Sequence, residues 1–451
     1  MSIDLTSAPV AEPLSSAPLR PGPVRTGTAL RRRYAFDVAI VGLGYVGLPT
    51  ALALHASGAT VLGVDLSQRR LETIRSGRAD LLSSDRDRLT AALSDSGFRL
   101  SDDPLQLGQA AAVIICVPTP IDQYSTPDLT LLRNACATVA DAAVPGQLLI
   151  LTSTTYPGCT HDLLTLPLQE RGLEVGRDIM IAFSPERIDP GNESFAHEDV
   201  PRVVGGADEA SQQAAEQLLR RYSRSVHGVG SMEAAEMTKL LENTFRAVNI
   251  ALANEFAEAC GILGLSVLDV INAAATKPYG FMPFFPGAGV GGHCIPCDPH
   301  YLLWQLRKEH IALPVIEQAM AEIAGRPRRV VTRIREVLAS QGKPIAGSRI
   351  LIVGVAYKAD VADLRESPAL EILRLLHAQG ARIAYQDPLV DRLALGEGVE
   401  LMSVADPAAF DADLVVLHTD HSAADHAWMT GARLVLDTTY RRTDLPNRVA
   451  L

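Results

Sequence analysis

The residue types most able to do chemistry sit in Pro286-Gly-Ala-Gly-Val-Gly-Gly-His-Cys-Ile-Pro-Cys-Asp-Pro-His300, where four glycines precede the thiol of Cys294. Asp298-Pro299 reads as a helix start. A helix N-terminus or a nearby lysine lowers a thiol pKa, and the glycines let backbone approach a ligand, so Cys294 suits a nucleophile. Other readings of the segment stay open. His293, Cys294, Cys297, Asp298 and His300 are all possible metal ligands, although no second cysteine pair exists and two prolines restrict wrapping around one ion. Cys294 and Cys297 also suit a redox dithiol, or two buried small hydrophobes. Elsewhere Lys239 and Asn243 are four residues apart, and Glu236 and Arg246 extend their row at helical spacing. Such a row is ordinarily a solvated face, and an exposed Glu-Lys pair contributes little.

A second constellation is Gly42-Leu-Gly-Tyr-Val-Gly47, directly after an apolar run and opening a helical pattern, with Asp65 closing the next apolar run. Gly42 permits the tight turn, Gly44 lets backbone reach a pyrophosphate, and Gly47 allows close helix packing. The helix N-terminus beyond them favours the anion. Asp65 would hydrogen-bond ribose hydroxyls and repel a 2′-phosphate, which favours NAD over NADP, with Arg69 and Arg70 close by and acting in the opposite sense.

These groups must be positioned by elements that periodicity outlines. Residues 37–41, 48–57 and 60–64 read as β-α-β, and strand-like runs recur at 111–117, 147–152 and 179–183, predicting a parallel sheet that continues to about residue 205. From Ser231 a helical pattern of about 30 residues, far above the usual length, runs without Gly or Pro to Gly261. Its apolar positions are Met237, Leu240, Leu241, Phe245, Val248, Leu252 and Phe256. A helix of this length bridges domains or packs on a twin. Helical patterning resumes after a Gly/Pro/aromatic segment at 276–299 and lasts to about residue 340. Strand runs at 350–353, 381–385, 414–417 and 434–436, with a helix over 368–379, then make a second α/β segment.

The expected fold class is α/β, with two Rossmann-like doubly wound domains joined by a long central helix and a helical middle domain. The expected divisions are a disordered tail over 1–34, where prolines alternate with small polar residues, a dinucleotide-binding domain over 35–230, a helical middle over 231–340 and a second α/β domain over 341–451. Charge and composition exclude several functions. Lys+Arg is 41 and Asp+Glu is 52, a net −11 of 451 residues, which argues against a broad basic face for nucleic acid or anionic membrane. Six scattered cysteines do not make a disulfide scaffold and fit a reducing compartment. No run has the form of an export signal, and the uncharged stretch 38–64 is patterned by glycines rather than membrane-spanning, so a cytoplasmic protein is expected.

Gly42-Leu-Gly-Tyr-Val-Gly-Leu-Pro, Val117-Pro-Thr-Pro, Ser184-Pro-Glu-Arg, Glu236-Met-Thr-Lys-Leu-Leu-Glu-Asn, Gly291-Gly-His-Cys and Gly354-Val-Ala-Tyr-Lys occur in one order. From about residue 36 to the C-terminus the chain resembles the UDP-glucose/GDP-mannose 6-dehydrogenase family. The stretches from Thr276 and His293 look most like its UDP-N-acetylglucosamine 6-dehydrogenases. The resemblance implies oxidation of a sugar CH2OH to a carboxylate with reduction of two NAD, through a thiohemiacetal and a thioester on Cys294. It assigns charge stabilisation to Lys239 and Asn243, proton transfer or holding of the lysine to Asp298, and water positioning to Thr119. It places the cofactor at Gly42, Gly44, Tyr45, Val46, Gly47, Asp65, Arg70, Thr119, Thr154 and Lys358. It places the UDP-sugar at Glu186, Arg187, Lys239, Asn243, Phe285, Gly289, Gly291, Tyr357 and Lys358, with Arg365 near the domain interface, and implies a homodimer or higher oligomer built on the long helix. No metal is implied. Three departures stand out: Thr152 where such enzymes commonly have Glu, Asp437-Thr-Thr439 where Asp-Thr-Arg is usual, and Cys297 at a position often aliphatic or Lys. Arg441 and Arg442 are the candidates to replace the missing arginine by reach.

Overall fold

A computed structural model describes residues 34–81, 83–187, 197–292, 294–396 and 398–451. The expected tail and His293 lie outside them, except Tyr34, whose hydroxyl donates to the Pro145 carbonyl at 3.1 Å. The chain first builds β1 (Phe36–Val41), α1 (Gly47–Ala56), β2 (Val61–Val64), α2 (Gln68–Arg75), α3 (Ser83–Leu93), β3 (Phe98–Ser101), β4 (Ala110–Ile115), α4 (Thr130–Ala142), β5 (Leu148–Leu151), α5 (Leu166–Glu170), β6 (Met180–Phe183), β7 (Arg202–Gly206), α6 (Glu209–Leu219) and β8 (Val226–Gly228). These strands form one sheet in the order β3-β2-β1-β4-β5-β6-β7-β8. Every residue of β2 and β5 is buried, because helices cover both faces of a sheet built from crossovers. The order reverses between β1 and β4, and a crevice for a ligand opens there at the carboxyl ends.

The expectation of a parallel sheet to residue 205 needs correction. β7 runs antiparallel to β6, pairing Ala182 with Gly206 and Phe183 with Gly205, and β8 then runs parallel to β7. Apolar periodicity gives a strand but not its direction. Direction is fixed here by a buried ion pair. The Arg202 guanidinium donates to both oxygens of Glu186 at 2.7 and 2.8 Å, so the first residue of β7 returns to the end of β6.

The middle of the chain is helical: α7 (Met232–Leu263), α8 (Val267–Ala275), α9 (Cys294–Arg307) and α10 (Pro314–Ser340). Ser231 caps α7 by accepting from the Ala234 N–H at 3.2 Å, and Gly264, at φ +69°, ends it in a left-handed turn. The amphipathic reading of this helix inverts except at Leu240, which is buried as expected, and Val248, which is half-buried. Glu236, Lys239 and Asn243 are buried with Ala235, Ala247 and Ala251, while Met237, Leu241, Phe245, Leu252 and Phe256 face solvent, Leu241 at 67% exposure. A further correction concerns α9, which begins at Cys294 rather than near Asp298. Pro296 falls in the first turn, where an N–H has no intrahelical acceptor to lose, so that proline costs the helix nothing.

The last part comprises β9 (Arg349–Val353), α11 (Pro368–Ala378), β10 (Arg382–Gln386), the hairpin β11 (Arg392–Gly396) and β12 (Val399–Met402), β13 (Leu414–Leu417), β14 (Val435–Asp437) and β15 (Arg448–Ala450). A five-stranded parallel sheet in the order β10-β9-β13-β14-β15 reverses between β9 and β13, as the first sheet does between β1 and β4. The hairpin, β15 and, in the first sheet, β3 and β8 are additions to the sequence reading. All are short, with half-exposed or mixed patterns that give periodicity little to find.

Breaking a buried pair leaves an uncompensated charge, which costs about 3–5 kcal/mol. Arg202→Ala should therefore lower the urea midpoint of unfolding markedly, and Glu186→Leu with Arg202→Met should recover most of the loss. An unchanged midpoint in the single variant would mean that the pair does not fix β7.

Candidate active site

The first crevice fits a dinucleotide. Gly42 has φ +87°, and a Cβ there would lie 2.7 Å from the Cys116 carbonyl oxygen just beyond β4. A Cβ on Gly47 would collide with the Gly42 carbonyl, whereas Gly44 faces open space. No side chain caps α1 and no acid lies in its first turn, leaving its N–H groups for a phosphate. Asp65, at the end of β2, accepts from the Leu43 N–H at 2.9 Å and the Ser67 N–H at 2.8 Å. The Arg70 Nε donates to the Leu43 carbonyl at 2.7 Å, so both predicted cofactor residues hold the glycine loop. Val46 stands at the N-cap, and Tyr45 projects to carry the Arg365 guanidinium 4.2 Å from its ring centroid. Thr154 follows β5 and is half-buried.

The thiol, the lysine and the carboxamide meet where α7 crosses α9. Asn243 donates to the Asp298 carboxylate, and the Lys239 ammonium acts on both Asp298 and Cys294. Burial pushes the Asp298 carboxyl up to about 6, against the opposing pull of Lys239 and the Asn243 hydrogen bond. Cys294 is exposed at the start of α9. Desolvation by the surrounding protein and the Asp298 charge raise its pKa, and Lys239, Arg246 and Arg365 oppose them. Thr119 is buried on the loop after β4, and its carbonyl accepts from the Tyr301 hydroxyl of α9 at 3.1 Å. A thiol nucleophile, a cation, an amide donor and a carboxylate of raised pKa thus share one site.

One turn below Lys239, Glu236 is buried, not part of the solvated row that its spacing suggests. It accepts from the N–H groups of Gly158 at 2.5 Å and Thr160 at 2.9 Å, and from the Thr160 hydroxyl at 2.6 Å. The carboxylate caps the helical turn that starts there, tying α7 to the segment after β5. Burial pushes its pKa up to about 7 despite those hydrogen bonds.

The second crevice repeats the first. A Cβ on Gly354, at φ +73°, would collide with the Thr419 carbonyl just beyond β13. Asp387 accepts from the Val355 N–H at 2.7 Å and the Ala356 N–H at 3.3 Å, and lies 3.1 Å from the His421 Nε2. The His421 Nδ1 accepts from the Asp360 N–H at 3.0 Å, so Nε2 carries the proton. Buried His418, held neutral by desolvation with its pKa down to about 4, completes a set that the sequence reading missed. Its signal was His418-Thr-Asp-His421 directly after a strand.

The glycine segment before Cys294 presses on this second unit. A Cβ on Gly291 would lie 2.5 Å from the Tyr357 Cβ, one on Gly289 would lie 2.8 Å from Pro368, and the Gly292 N–H donates to the Arg365 carbonyl at 2.9 Å. Arg365 therefore touches Tyr45 of the first crevice and the backbone beside Cys294. Lys358 follows Tyr357 and is half-buried.

Not every expected ligand residue faces a cavity. Both Glu186 oxygens accept from Arg202, and Oε1 also accepts from the Arg187 N–H at 2.7 Å. The Arg187 guanidinium pairs with Glu242 of α7 at 2.7 Å, which makes the two residues a brace behind Asn243. Thr152 is buried beside the Cys116 thiol. Thr439 bonds Asp437 through its N–H at 2.9 Å and hydroxyl at 2.7 Å. Of the two neighbouring arginines, Arg442 turns onto Asp444, and Arg441 lies 5.9 Å over the Phe285 ring. Among the described residues no group of three or more His, Cys, Asp or Glu gathers as a metal site.

Glu236 binds a proton in the folded chain that the unfolded chain, with an ordinary value of 4.5, releases. Its contribution to stability is full below about pH 4.5 and is lost as the pH rises through about 7. Asp298 titrates in the same sense, so the slope should be shallower, not abolished, in Glu236→Gln. Urea midpoints measured from pH 4 to 8 check this, and equal slopes would remove Glu236 from the account.

Comparisons with known proteins agree along the chain. Three models of the UDP-glucose/GDP-mannose dehydrogenase family match: the NAD binding domain over residues 36–223, the central domain over 233–322 and the UDP binding domain over 351–442. The chain is 35% identical to an NDP-N-acetyl-D-galactosaminuronic acid dehydrogenase of Ralstonia solanacearum, over 85% of this chain and 90% of that one. It is 33% identical to a UDP-N-acetyl-D-glucosamine 6-dehydrogenase of Pseudomonas aeruginosa, with the same coverage. The solved structure of a UDP-D-ManNAc dehydrogenase from Pyrococcus horikoshii superposes with a TM-score of 0.83 at 31% identity, covering 92% of this chain and 98% of that one. With its glycine loop, Asp65 and uncapped α1 fitted to the cofactor, the chain is an NAD-dependent oxidoreductase and belongs to the UDP-glucose/GDP-mannose dehydrogenase family.

Proposed function

We propose that this protein oxidises the C6 hydroxymethyl of a UDP-N-acetylhexosamine, with UDP-N-acetylglucosamine the first candidate, to the carboxylate. The observation that carries the reading is the cluster of Cys294, Lys239, Asn243 and Asp298 at the α7/α9 crossing, flanked by a crevice of each sheet. Several relatives of similar identity are named for N-acetylated sugars of different configuration, which supports the class. Bound NAD supplies the hydride acceptor, needed twice for a four-electron oxidation. Gly42, Gly44, Gly47 and the α1 N-terminus hold its pyrophosphate, and Asp65 its ribose.

The chain's own residues supply the rest. Lys239 and Asn243 stabilise negative charge on the C6 oxygen as the alcohol becomes an aldehyde. Asp298, with a pKa near neutrality, accepts a proton. The Cys294 thiol, exposed to solvent, loses its proton to water as Sγ bonds to the aldehyde carbon, and the same donors hold the oxyanion of the thiohemiacetal. Loss of hydride from that carbon leaves a thioester, which water held near Thr119 cleaves, releasing the carboxylate and the thiol. The second crevice, with Gly354, Tyr357, Lys358 and Asp387, holds the nucleotide, and Arg441 with Phe285 lies toward the sugar. The domain divisions of the sequence reading, near residues 230 and 340, serve as the working boundaries.

The exposed apolar row of α7 supports a homodimer. Met237, Leu241, Phe245, Leu252 and Phe256, each about half exposed, form one apolar row whose remaining area favours cover by a second copy. Among the described residues no helix is long and apolar enough to cross a membrane. The thiol chemistry suits a reducing, cytoplasmic setting.

NADH formed per sugar consumed should be two with one preferred member of a panel of UDP-N-acetylglucosamine, UDP-N-acetylgalactosamine, UDP-N-acetylmannosamine, UDP-glucose and GDP-mannose. Cys294→Ser should stop short of two, and a variant still giving two would sink the thioester route. Arg441→Ala should raise KM at least several-fold with kcat little changed. Light scattering should give a dimer that Leu241→Glu converts to monomer, and a monomeric wild type would overturn that part.

A further inference from the structure

We propose that Cys294 and Cys297 form a reversible intramolecular disulfide when a hydroperoxide oxidises the exposed thiol, shielding Cys294 from irreversible damage. The two cysteines lie three residues apart on the first turn of α9. Helical geometry places their Cα atoms about 5 Å apart, within the ~4.4–6.8 Å that a disulfide bridges. Cys294-Ile-Pro-Cys297 puts Pro296 where a helix has no hydrogen bond to lose, so that proline leaves the turn presenting the pair helical.

The two thiols are unequal in the way such a pair requires. Of the six cysteines, Cys294 is exposed and the others are buried, Cys297 at 3% exposure. An oxidant therefore meets Cys294 first. Burial and the Asp298 charge raise the Cys294 pKa against the pull of Lys239, Arg246 and Arg365, and burial with the Asp298 and Glu366 charges pushes Cys297 up to about 12, so exposure decides which sulfur the oxidant meets. Cys116, Cys136, Cys159 and Cys260 belong to other elements, which leaves Cys297 as the resolving group.

The steps balance without a cofactor. The Cys294 thiolate attacks the outer oxygen of the hydroperoxide, the O–O bond breaks, an alcohol or water leaves, and Cys294 becomes a sulfenic acid. Cys297 gives up its proton and attacks that sulfur, the S–S bond forms, the S–O bond breaks, and water leaves. Two thiols lose two electrons and the hydroperoxide gains them. A dithiol reductant reverses the bond by exchange. Without Cys297, a second hydroperoxide carries the sulfenic acid on to the sulfinic acid, which a dithiol does not restore.

That the disulfide also stops turnover rests on the proposed role of Cys294, and two separate readouts keep the ideas apart. The full chain is treated with hydrogen peroxide, then with dithiothreitol, and cleaved before Asp269 and Asp298, which leaves both thiols on a peptide free of Cys260. In the wild type that peptide should lose two hydrogens and regain them, with NADH formation lost and restored in step. Cys297→Ser and Cys297→Ala should begin with near-wild-type turnover, and after the same treatment Cys294 should carry two oxygens, located by fragmentation apart from any on Met282, and activity should not return. A wild-type peptide that loses no hydrogen and carries oxygen on Cys294, told by fragmentation from oxygen on exposed Met282, overturns the disulfide, and this alone decides should both variants fail to fold. A disulfide that forms and reverses with NADH production unchanged upholds the inference and overturns the nucleophilic role of Cys294.

Discussion

The polar row buried along α7 is the constraint that organises this molecule. Burying Glu236, Lys239 and Asn243 is costly unless each finds a partner, and none of those partners lies on α7 itself. Glu236 takes the N–H groups of Gly158 and Thr160 from beyond β5, Asn243 takes Asp298 from α9, and Lys239 is balanced by Asp298. The helix therefore fixes where the first sheet and α9 must sit. The same requirement brings the cation, the amide and the carboxylate beside the thiol. One set of buried charges thus ties the packing to the candidate site, and two of them, Glu236 and Asp298, have pKa values raised toward neutrality.

The second organising element is the pair of matching crevices. Gly42 against Cys116 and Gly354 against Thr419 are the same device, a left-handed glycine that lets one strand end pass close to its neighbour where strand order reverses. Arg365 links the two, stacking on Tyr45 while its backbone receives Gly292 and its side chain grips Asp363 at 2.6 Å. Arg326, fully buried, ties Gly287 at 3.0 Å to Glu258 at 2.7 Å and to the Tyr440 hydroxyl at 3.2 Å. The glycine segment before Cys294 is thus anchored along its length, which limits the thiol's position.

The apolar face of α7 and its polar face exchanged their expected roles for one reason. A lone helix buries its apolar side, but here small alanines let α9 and α10 approach the polar side, and Met237, Leu241, Phe245, Leu252 and Phe256 are left for an outside surface, while Leu240 stays buried. Periodicity reports which residues share a face, not which face turns inward.

Much was therefore legible from the chain. Local rules determined the β-α-β start, the glycine loop with Asp65, the long helix and its cap region, and the strand runs of the second sheet, because each is set by neighbours a few residues away. The type and spacing of Cys294, Lys239 and Asn243 were equally plain. Tertiary structure alone decided the reversal of β7, since Glu186 and Arg202 pair across a turn that periodicity does not encode. It also decided the burial of Glu236, the neutral state of His418, the Arg365 bridge and the choice of Arg441 over Arg442 beside Phe285. Those depend on long-range approach and on desolvation, which arise only when distant elements pack, and no local pattern carries them.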